Sequence, residues 1–199
     1  AFTVAYLLTK AIKGSNIFRT VFFMPNLIGG IVLGYIWSMI FDGILSRYNT
    51  SILLNSTYGF WGLIILMAWQ QIGYMMIIYI AGLQAVPVDM LEAAKIDGAS
   101  EWKTLWNIII PNVMPSITIC TFLTLTNSFK LYDQNLALTN GRPYNGVIHT
   151  TEMLALNIVN SNTLKTKGVG QAKAVMFFVL VAIIGIFQMK ATHDKEVQQ

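Results

Sequence analysis

The sequence predicts an all-α, polytopic helical membrane protein, and three observations carry that expectation. Of its 199 residues, 55% are apolar and only 11% are Asp, Glu, Lys or Arg. An ordinary soluble domain is about 45–50% apolar and about 25% charged, so this chain has too little charge to build a water-facing surface. The charges are also clustered: none lies between Arg47 and Asp89, between Lys103 and Lys130, or between Lys173 and Lys190. Gaps of that size match the roughly 20 apolar residues that a spanning helix needs. Finally, the alternating strands of a membrane β-barrel are absent, and in hydrocarbon the remaining structure that closes its own backbone hydrogen bonds is the α-helix.

In chain order, residues 1–12, AFTVAYLLTKAI, are expected to be the tail of a spanning helix that begins before Ala1. No basic stretch of the kind that opens a signal peptide precedes it, and the chain is expected to be N-terminally incomplete. Residues 21–41 form an uncharged run containing Pro25, Gly29, Gly30 and Gly34. Small residues allow close helix packing in lipid, and a proline near a helix end costs little. Residues 59–82 are rich in Leu, Ile and Met but hold the pair Gln70-Gln71. Residues 112–130 follow Pro111, contain Pro115 and are rich in threonine, whose hydroxyl can bond to the carbonyl four residues back. Residues 172–189 are the most plainly apolar.

The intervening segments are polar. Lys10 to Arg19 is short and basic, Asp42 to Tyr58 carries Asn and Ser, residues 83–111 hold four of the nine acidic residues, and Lys130 to Gln171 is long and mixed. Odd-even counting of the spans places seven Lys or Arg on one side (Lys10, Lys13, Arg19, Lys95, Lys103, Lys190, Lys195) and six on the other (Arg47, Lys130, Arg142, Lys165, Lys167, Lys173). The cluster Lys10, Lys13, Arg19 fits a cytoplasmic loop, because the positive-inside rule weighs residues near span ends; Lys173 pulls the other way.

Several function classes are disfavoured. There is no basic stripe with interleaved aromatics, as nucleic-acid binding would require. Cys120 is the only cysteine, so a disulfide scaffold is excluded and a buried, inert thiol is expected. His149 and His193 have no neighbouring Cys or His, which speaks against a metal site. No phosphate-binding G-x-x-x-x-G-K-[ST] run, dinucleotide fingerprint or Ser-His-Asp arrangement occurs. The last residues, ATHDKEVQQ, read as a frayed tail.

The informative stretch is Pro87 to Pro111, PVDMLEAAKIDGASEWKTLWNIIIP, which reads as two short helices joined by a turn. Pro87 can open the first, Asp89 and Glu92 favour its N-terminal half, and Gly98 ends it. Ser100 can cap the second, although Lys103 stands at N3 where a capping box wants Glu or Gln. The second helix has an apolar stripe, Trp102, Leu105, Trp106 and Ile109, against Glu101, Lys103, Thr104 and Asn107. Such a helix can lie on a membrane surface or fill a groove on a soluble partner, and periodicity does not separate the two.

This stretch resembles the signature of the inner-membrane permeases of ABC importers: E-A-A, three residues, G, nine residues, I, one residue, L-P. Glu92-Ala93-Ala94, Gly98, Ile108 and Ile110-Pro111 match at every spacing, with Ile110 in the usual place of Leu. The sugar-permease branch of maltose-uptake type is suggested by Arg19-Thr20-Val21-Phe22-Phe23-Met24-Pro25, by Ala81-Gly82-Leu83-Gln84 and by Ile96-Asp97-Gly98-Ala99. The resemblance runs from near Ala1 to about Met189 and implies an ABC importer type I transmembrane domain in a bacterial inner membrane.

It further implies that residues 83–111 are a cytoplasmic coupling loop. Glu92, Ala93, Ala94, Asp97, Gly98, Trp102, Trp106, Ile108 and Pro111 would then dock on an ABC ATPase dimer, which binds ATP and Mg. The chain itself would bind no cofactor and catalyse nothing. Its other partners would be a second permease, an extracytoplasmic solute-binding protein and the bilayer. The competing reading of Glu92 is an intrahelical pair with Lys95. Polar groups within spans are candidates for a solute path, chiefly Gln70, Tyr74, Asn127 and Ser128, with Gln71, Asn26 and Thr124 beside them; helix-to-helix hydrogen bonding is the alternative for each. An amino-acid or peptide permease shares the loop signature. An ATP-independent transporter would be favoured by intramembrane carboxylates, and none lies in the proposed spans. Cysteines introduced at Asn49 and Asn140 should be labelled from outside sealed cells, with Pro111 and Ala191 on the cytoplasmic side; labelling of either from the cytoplasm would reverse this topology.

Overall fold

The computed structural model describes residues 1–10, 13–141, 144–145, 148–149, 151–162 and 166–193. Ile12, at the end of the expected partial first span, and the tail from residue 194 lie outside them. The chain is built from α1 (Phe2–Thr9), α2 (Ser15–Leu27), α3 (Gly30–Leu45), α4 (Ser56–Gln84), α5 (Val88–Ile96), α6 (Glu101–Thr104), α7 (Ile110–Phe129), α8 (Asp133–Leu138), α9 (Leu154–Asn160) and α10 (Lys167–His193). A short 3₁₀ turn, Ser46–Tyr48, follows α3, and a π-helical turn, Leu105–Ile109, joins α6 to α7. The strand pair Tyr144–Asn145 and Ile148–His149, with Tyr144 opposite His149, is two residues long and leaves the architecture all-α.

Three helical stretches among the described residues are long and apolar enough to cross a membrane: Ser56–Gln84, Glu101–Phe129 and Lys167–Lys190. The most apolar stretch of α10 buries none of its residues within this chain. Two differences from the hydropathy reading stand out. The expected single span 21–41 is instead two helices, α2 and α3, bent by 100° at a break over Ile28 and Gly29. Hydropathy registers the run as continuous because neither Ile28 nor Gly29 is polar; at the break Ile28 N–H turns to the Pro25 carbonyl, three residues back, at 3.3 Å. Second, the helix that begins at Glu101 does not end at Pro111 but runs on to Phe129. Ile110 N–H donates to the Leu105 carbonyl, a five-residue step. This widened turn comes just before Pro111, which has no N–H to give. Asn112 Nδ2 then reaches back to the Ile108 carbonyl at 2.8 Å.

The chain forms two compact units, residues 1–24, 72–125 and 184–199 in one and 25–71 and 126–183 in the other. In the first, Ala5 and Leu8 of α1 pack on Met76 and Ile80 of α4. A neighbouring core joins Val86, Ile109 and Val113, with Phe2, Tyr6 and Tyr79 against it. Phe2 meets Tyr79 edge to face, with ring centroids 5.4 Å apart. This is the packing that seats residues 83–111.

In the second unit, Ile52, Leu63, Leu66 and Leu138 form the core, flanked by Trp37 and Phe41. Its polar frame is local. Asp42 Oδ1 accepts from Ile52 N at 3.0 Å, which pins the loop after α3. Asn135 is fully buried: its Nδ2 donates to the Thr151 carbonyl at 2.8 Å and its Oδ1 accepts from Met153 N at 3.0 Å. A buried amide satisfied at both ends fixes the returning segment in one place.

Helices α3 and α8 approach so closely that Gly34 has no room for a side chain. A Cβ there would lie 2.5 Å from Ala137 Cβ and 3.1 Å from the Gln134 carbonyl and the Leu138 N. Gly43, on the same helix, faces open space. Gly34→Val is therefore expected to cost about 1–3 kcal/mol by overpacking and to lower the thermal stability of the detergent-purified chain, while Gly43→Ala leaves it unchanged or higher. Equal melting temperatures for the two variants would contradict this contact.

Candidate coupling segment and polar groups within the helices

The segment from Val88 to Thr104 is shaped by one turn. Helix α5 is capped by Asp97, whose N–H reaches the Ala93 carbonyl at 2.9 Å. Gly98 follows at φ +71°. Gly98 N–H donates to the Lys95 carbonyl at 3.1 Å and Ala99 N–H to the Ala94 carbonyl at 2.9 Å. Those are the two bonds of a Schellman motif, in which a left-handed residue just past the helix satisfies carbonyls the helix leaves open. Ser100 begins the next helix: its Oγ accepts from Lys103 N at 3.4 Å and its carbonyl from Thr104 N at 3.0 Å. One helix is thus stopped and the next started within four residues. Ala94 points inward and is buried, whereas Glu92, Ala93 and Asp97 are exposed.

The apolar stripe read on the second helix divides. Ile109 is buried and Leu105 half-buried, while Trp102 and Trp106 stand out from the chain with their rings in edge contact at 5.7 Å. Ile96, the last residue of α5, is 86% exposed. Glu92 makes no ion pair with Lys95; among the described residues the one ion pair joins Lys10 Nζ to Glu101 Oε2 at 2.9 Å. Sequence reading did not single out that contact. Lys10 caps α1, and its ammonium also lies 5.1 Å from the centre of the Tyr6 ring. The hydrogen bond to Glu101, with a further contribution from Tyr6, raises the Lys10 pKa above its ordinary value.

The polar residues within the helices are placed as follows. Gln70 is 7% exposed and both ends of its amide are used: Nε2 donates to the Ile28 carbonyl at 3.3 Å and Oε1 accepts from Gln134 Nε2 at 3.0 Å. Gln70 therefore ties α4 to the break between α2 and α3. Asn127 Nδ2 reaches Gln71 Oε1 at 3.4 Å, and both residues are half-buried. Ser128 is exposed. Tyr74, in the other unit, is 37% exposed. Cys120 is a buried free thiol, as expected, with Sγ 3.8 Å from the Met75 carbonyl. Among the described residues no group of three His, Cys, Asp or Glu is arranged to hold a metal ion. His149 lies in the two-residue strand and His193 at the end of α10.

This helical arrangement and loop signature have direct counterparts. Residues 1–190 match the family model described as "Binding-protein-dependent transport system inner membrane component". The chain belongs to this family of binding-protein-dependent inner membrane components. It is similar to the "Probable starch degradation products transport system permease protein AmyD" of Thermoanaerobacterium thermosulfurigenes, at 43% identity over 98% of this chain and 69% of that protein. It is also similar to the "Multiple sugar-binding transport system permease protein MsmF" of Streptococcus mutans, at 30% identity over the same shares. In fold it matches a solved bacterial ABC transporter involved in the import of the acidic polysaccharide alginate. The TM-score is 0.78 at 16% identity, over 97% of this chain and 71% of that one. The protein is accordingly a multi-pass permease component of the inner membrane, with the fold of an ABC importer transmembrane domain.

For this permease component the Gln70 bonds carry a stability expectation. Gln70→Leu removes the partner of the Ile28 carbonyl and of the Gln134 amide, both on half-buried residues, and a polar group left unpaired away from water costs up to about 1–3 kcal/mol. Gln70→Leu should therefore lower the melting temperature of the purified chain. A Gln70→Leu variant as stable as the parent would show that these bonds contribute nothing.

Proposed function

We propose that this permease component moves a carbohydrate across the membrane and is driven by a separate ATPase dimer that docks on residues 83–111. The observation that carries the docking part is the outward face of α5. Glu92, Ala93 and Ile96 are exposed, Glu92 forms no ion pair among the described residues, and all three are presented by a helix stopped at a glycine turn. A carboxylate free of Lys95 is available for a charge-assisted hydrogen bond to a basic group on a partner, and an exposed isoleucine beside it suits an apolar pocket. Trp102 and Trp106 are exposed as well, on the helical stretch that follows.

ATP and Mg belong to the ATPase in this reading, and the permease holds no cofactor and performs no chemistry. A second permease would complete the translocation path, and an extracytoplasmic binding protein would deliver the solute. The carbohydrate class rests on the names of the relatives and on the uncharged character of the polar groups in the helices. Asn127, Ser128 and Tyr74 offer the amide, hydroxyl and aromatic surface that a sugar engages. Gln70 is committed to protein partners, so its contribution to the path would be to hold the α2–α3 break.

Glu92→Ala should leave membrane insertion intact yet reduce retention of the ATPase during purification. Gly98→Val should impair solute-stimulated hydrolysis, since a β-branched residue in a left-handed turn costs about 1–2 kcal/mol. If the segment were only a membrane anchor, Glu92→Ala would be silent, and Trp102→Ala with Trp106→Ala would loosen the loop from lipid without releasing the ATPase. Normal retention and normal stimulation in both Glu92→Ala and Gly98→Val would sink the docking assignment. Separately, Asn127→Leu should impair uptake while leaving assembly with the ATPase unchanged; unaltered transport kinetics would remove Asn127 from the path.

A further inference from the structure

Residues 83–111 are covalently continuous with α4 before them and α7 after them, so any displacement of the segment reaches those two helices through the backbone. Helix α1 has no such connection. It touches the segment through the apolar packing of Phe2 and Tyr6 and through the Lys10–Glu101 ion pair, made across 91 positions of sequence. The packing is incomplete where α1 ends. An open cavity of about 550 Å³ lies there, lined by Tyr6, Lys10, Leu91, Lys95 and Glu101 among others.

Where side chains do not fill the space, the contact across its rim is the ion pair. Both partners sit at fixed points of the backbone: Lys10 is the C-cap of α1, and Glu101 is in the first turn after the Ser100 cap. The Tyr6 ring, about one turn earlier on α1, lies 5.1 Å from the ammonium. Lys10 and Glu101 are 47% and 85% exposed. Exposed pairs of this kind contribute little to stability, so the contact is poorly suited to a structural staple. A weak, reversible bond between two helices that move is a different matter, since it can form in one conformation and yield in another.

We propose that Lys10 and Glu101 are positioning residues that make α1 follow the docking segment, giving α1 a share in the movement that ATP binding imposes on α4 and α7. The inference rests on the docking reading, and its test keeps the two apart. In the complete transporter, a cysteine at Thr3, which is exposed on α1, reports the movement of that helix as the change in thiol-labelling rate on adding ATP and Mg. Buried Cys120 serves as the unreactive internal control. ATPase retention is measured in every variant, with Glu92→Ala as the variant expected to lose it.

With Lys10 and Glu101 present, ATP should change the labelling rate at position 3 by about twofold to fivefold, the range that exposed ion pairs reach. Lys10→Glu or Glu101→Lys should abolish most of that change while keeping the ATPase bound. The double variant, with the charges exchanged, should recover it. Recovery by the exchanged pair separates a charge contact from loss of packing around either residue. If reversal of a charge prevents assembly, Lys10→Gln and Glu101→Gln are used to remove the pair without adding repulsion, and the same loss is expected. The proposal is overturned if ATP leaves the labelling rate unchanged in the parent, if the single variants respond as the parent does, or if the exchanged pair recovers nothing. Loss of the ATPase from Lys10→Gln or Glu101→Gln would also overturn it, by assigning these residues to the docking surface itself.

Discussion

Three departures from a straight helix among the described residues answer to the same constraint: a backbone carbonyl or N–H inside or beside the bilayer must find a partner within the protein. At the break between α2 and α3, the Ile28 carbonyl is taken by Gln70. At the π turn before Pro111, Ile110 N–H is taken by the Leu105 carbonyl, and the Asn112 amide supplies Ile108. At the end of α5, Gly98 and Ala99 supply the carbonyls of Lys95 and Ala94. Each irregular point is thus also a point where a specific residue is required, and the polar side chains of the helices are placed by that need.

This explains why a sparse set of polar residues can shape so much of the structure. Asn135 serves a carbonyl and an N–H at once and so sets where the chain returns after α8. Gln70 does the same for the α2–α3 break and Gln134. A soluble protein can leave such groups to water. Here the sequence carries the partner, and its loss exposes an unsatisfied group instead of a hydrated one.

What the sequence made legible was local. The Gly98 turn, the Ser100 cap and the opening of α5 at Pro87 are each decided by a few neighbouring residues and read correctly from them. The long apolar stretches of α4 and α10 were equally plain, since hydropathy sums over many residues. The break at Ile28 and Gly29 was hidden because two apolar residues interrupt the helix without changing the mean hydropathy. The continuity from Glu101 to Phe129 was hidden because Pro111 signals an end, and the π turn that accommodates it has no sequence mark. The partners of Gln70 lie 42 and 64 positions away and that of Lys10 lies 91 away. Single-sequence periodicity carries no information at that range. The stripe of Trp102, Leu105, Trp106 and Ile109 shows the middle case: the spacing was right, but which members face inward is set by Val86 and Val113 on other parts of the chain.

The exposed pair Trp102 and Trp106 has an optical consequence. The chain has five tryptophans, and the other three are Trp37, Trp61 and Trp69. Two of those, Trp37 and Trp69, are in ring contact with each other. With those three replaced by phenylalanine, all indole emission would come from two rings 5.7 Å apart at the segment's surface. Their emission maximum would then report the polarity at that one place, and a shift to shorter wavelength on adding a partner would register its arrival without any label attached to the protein.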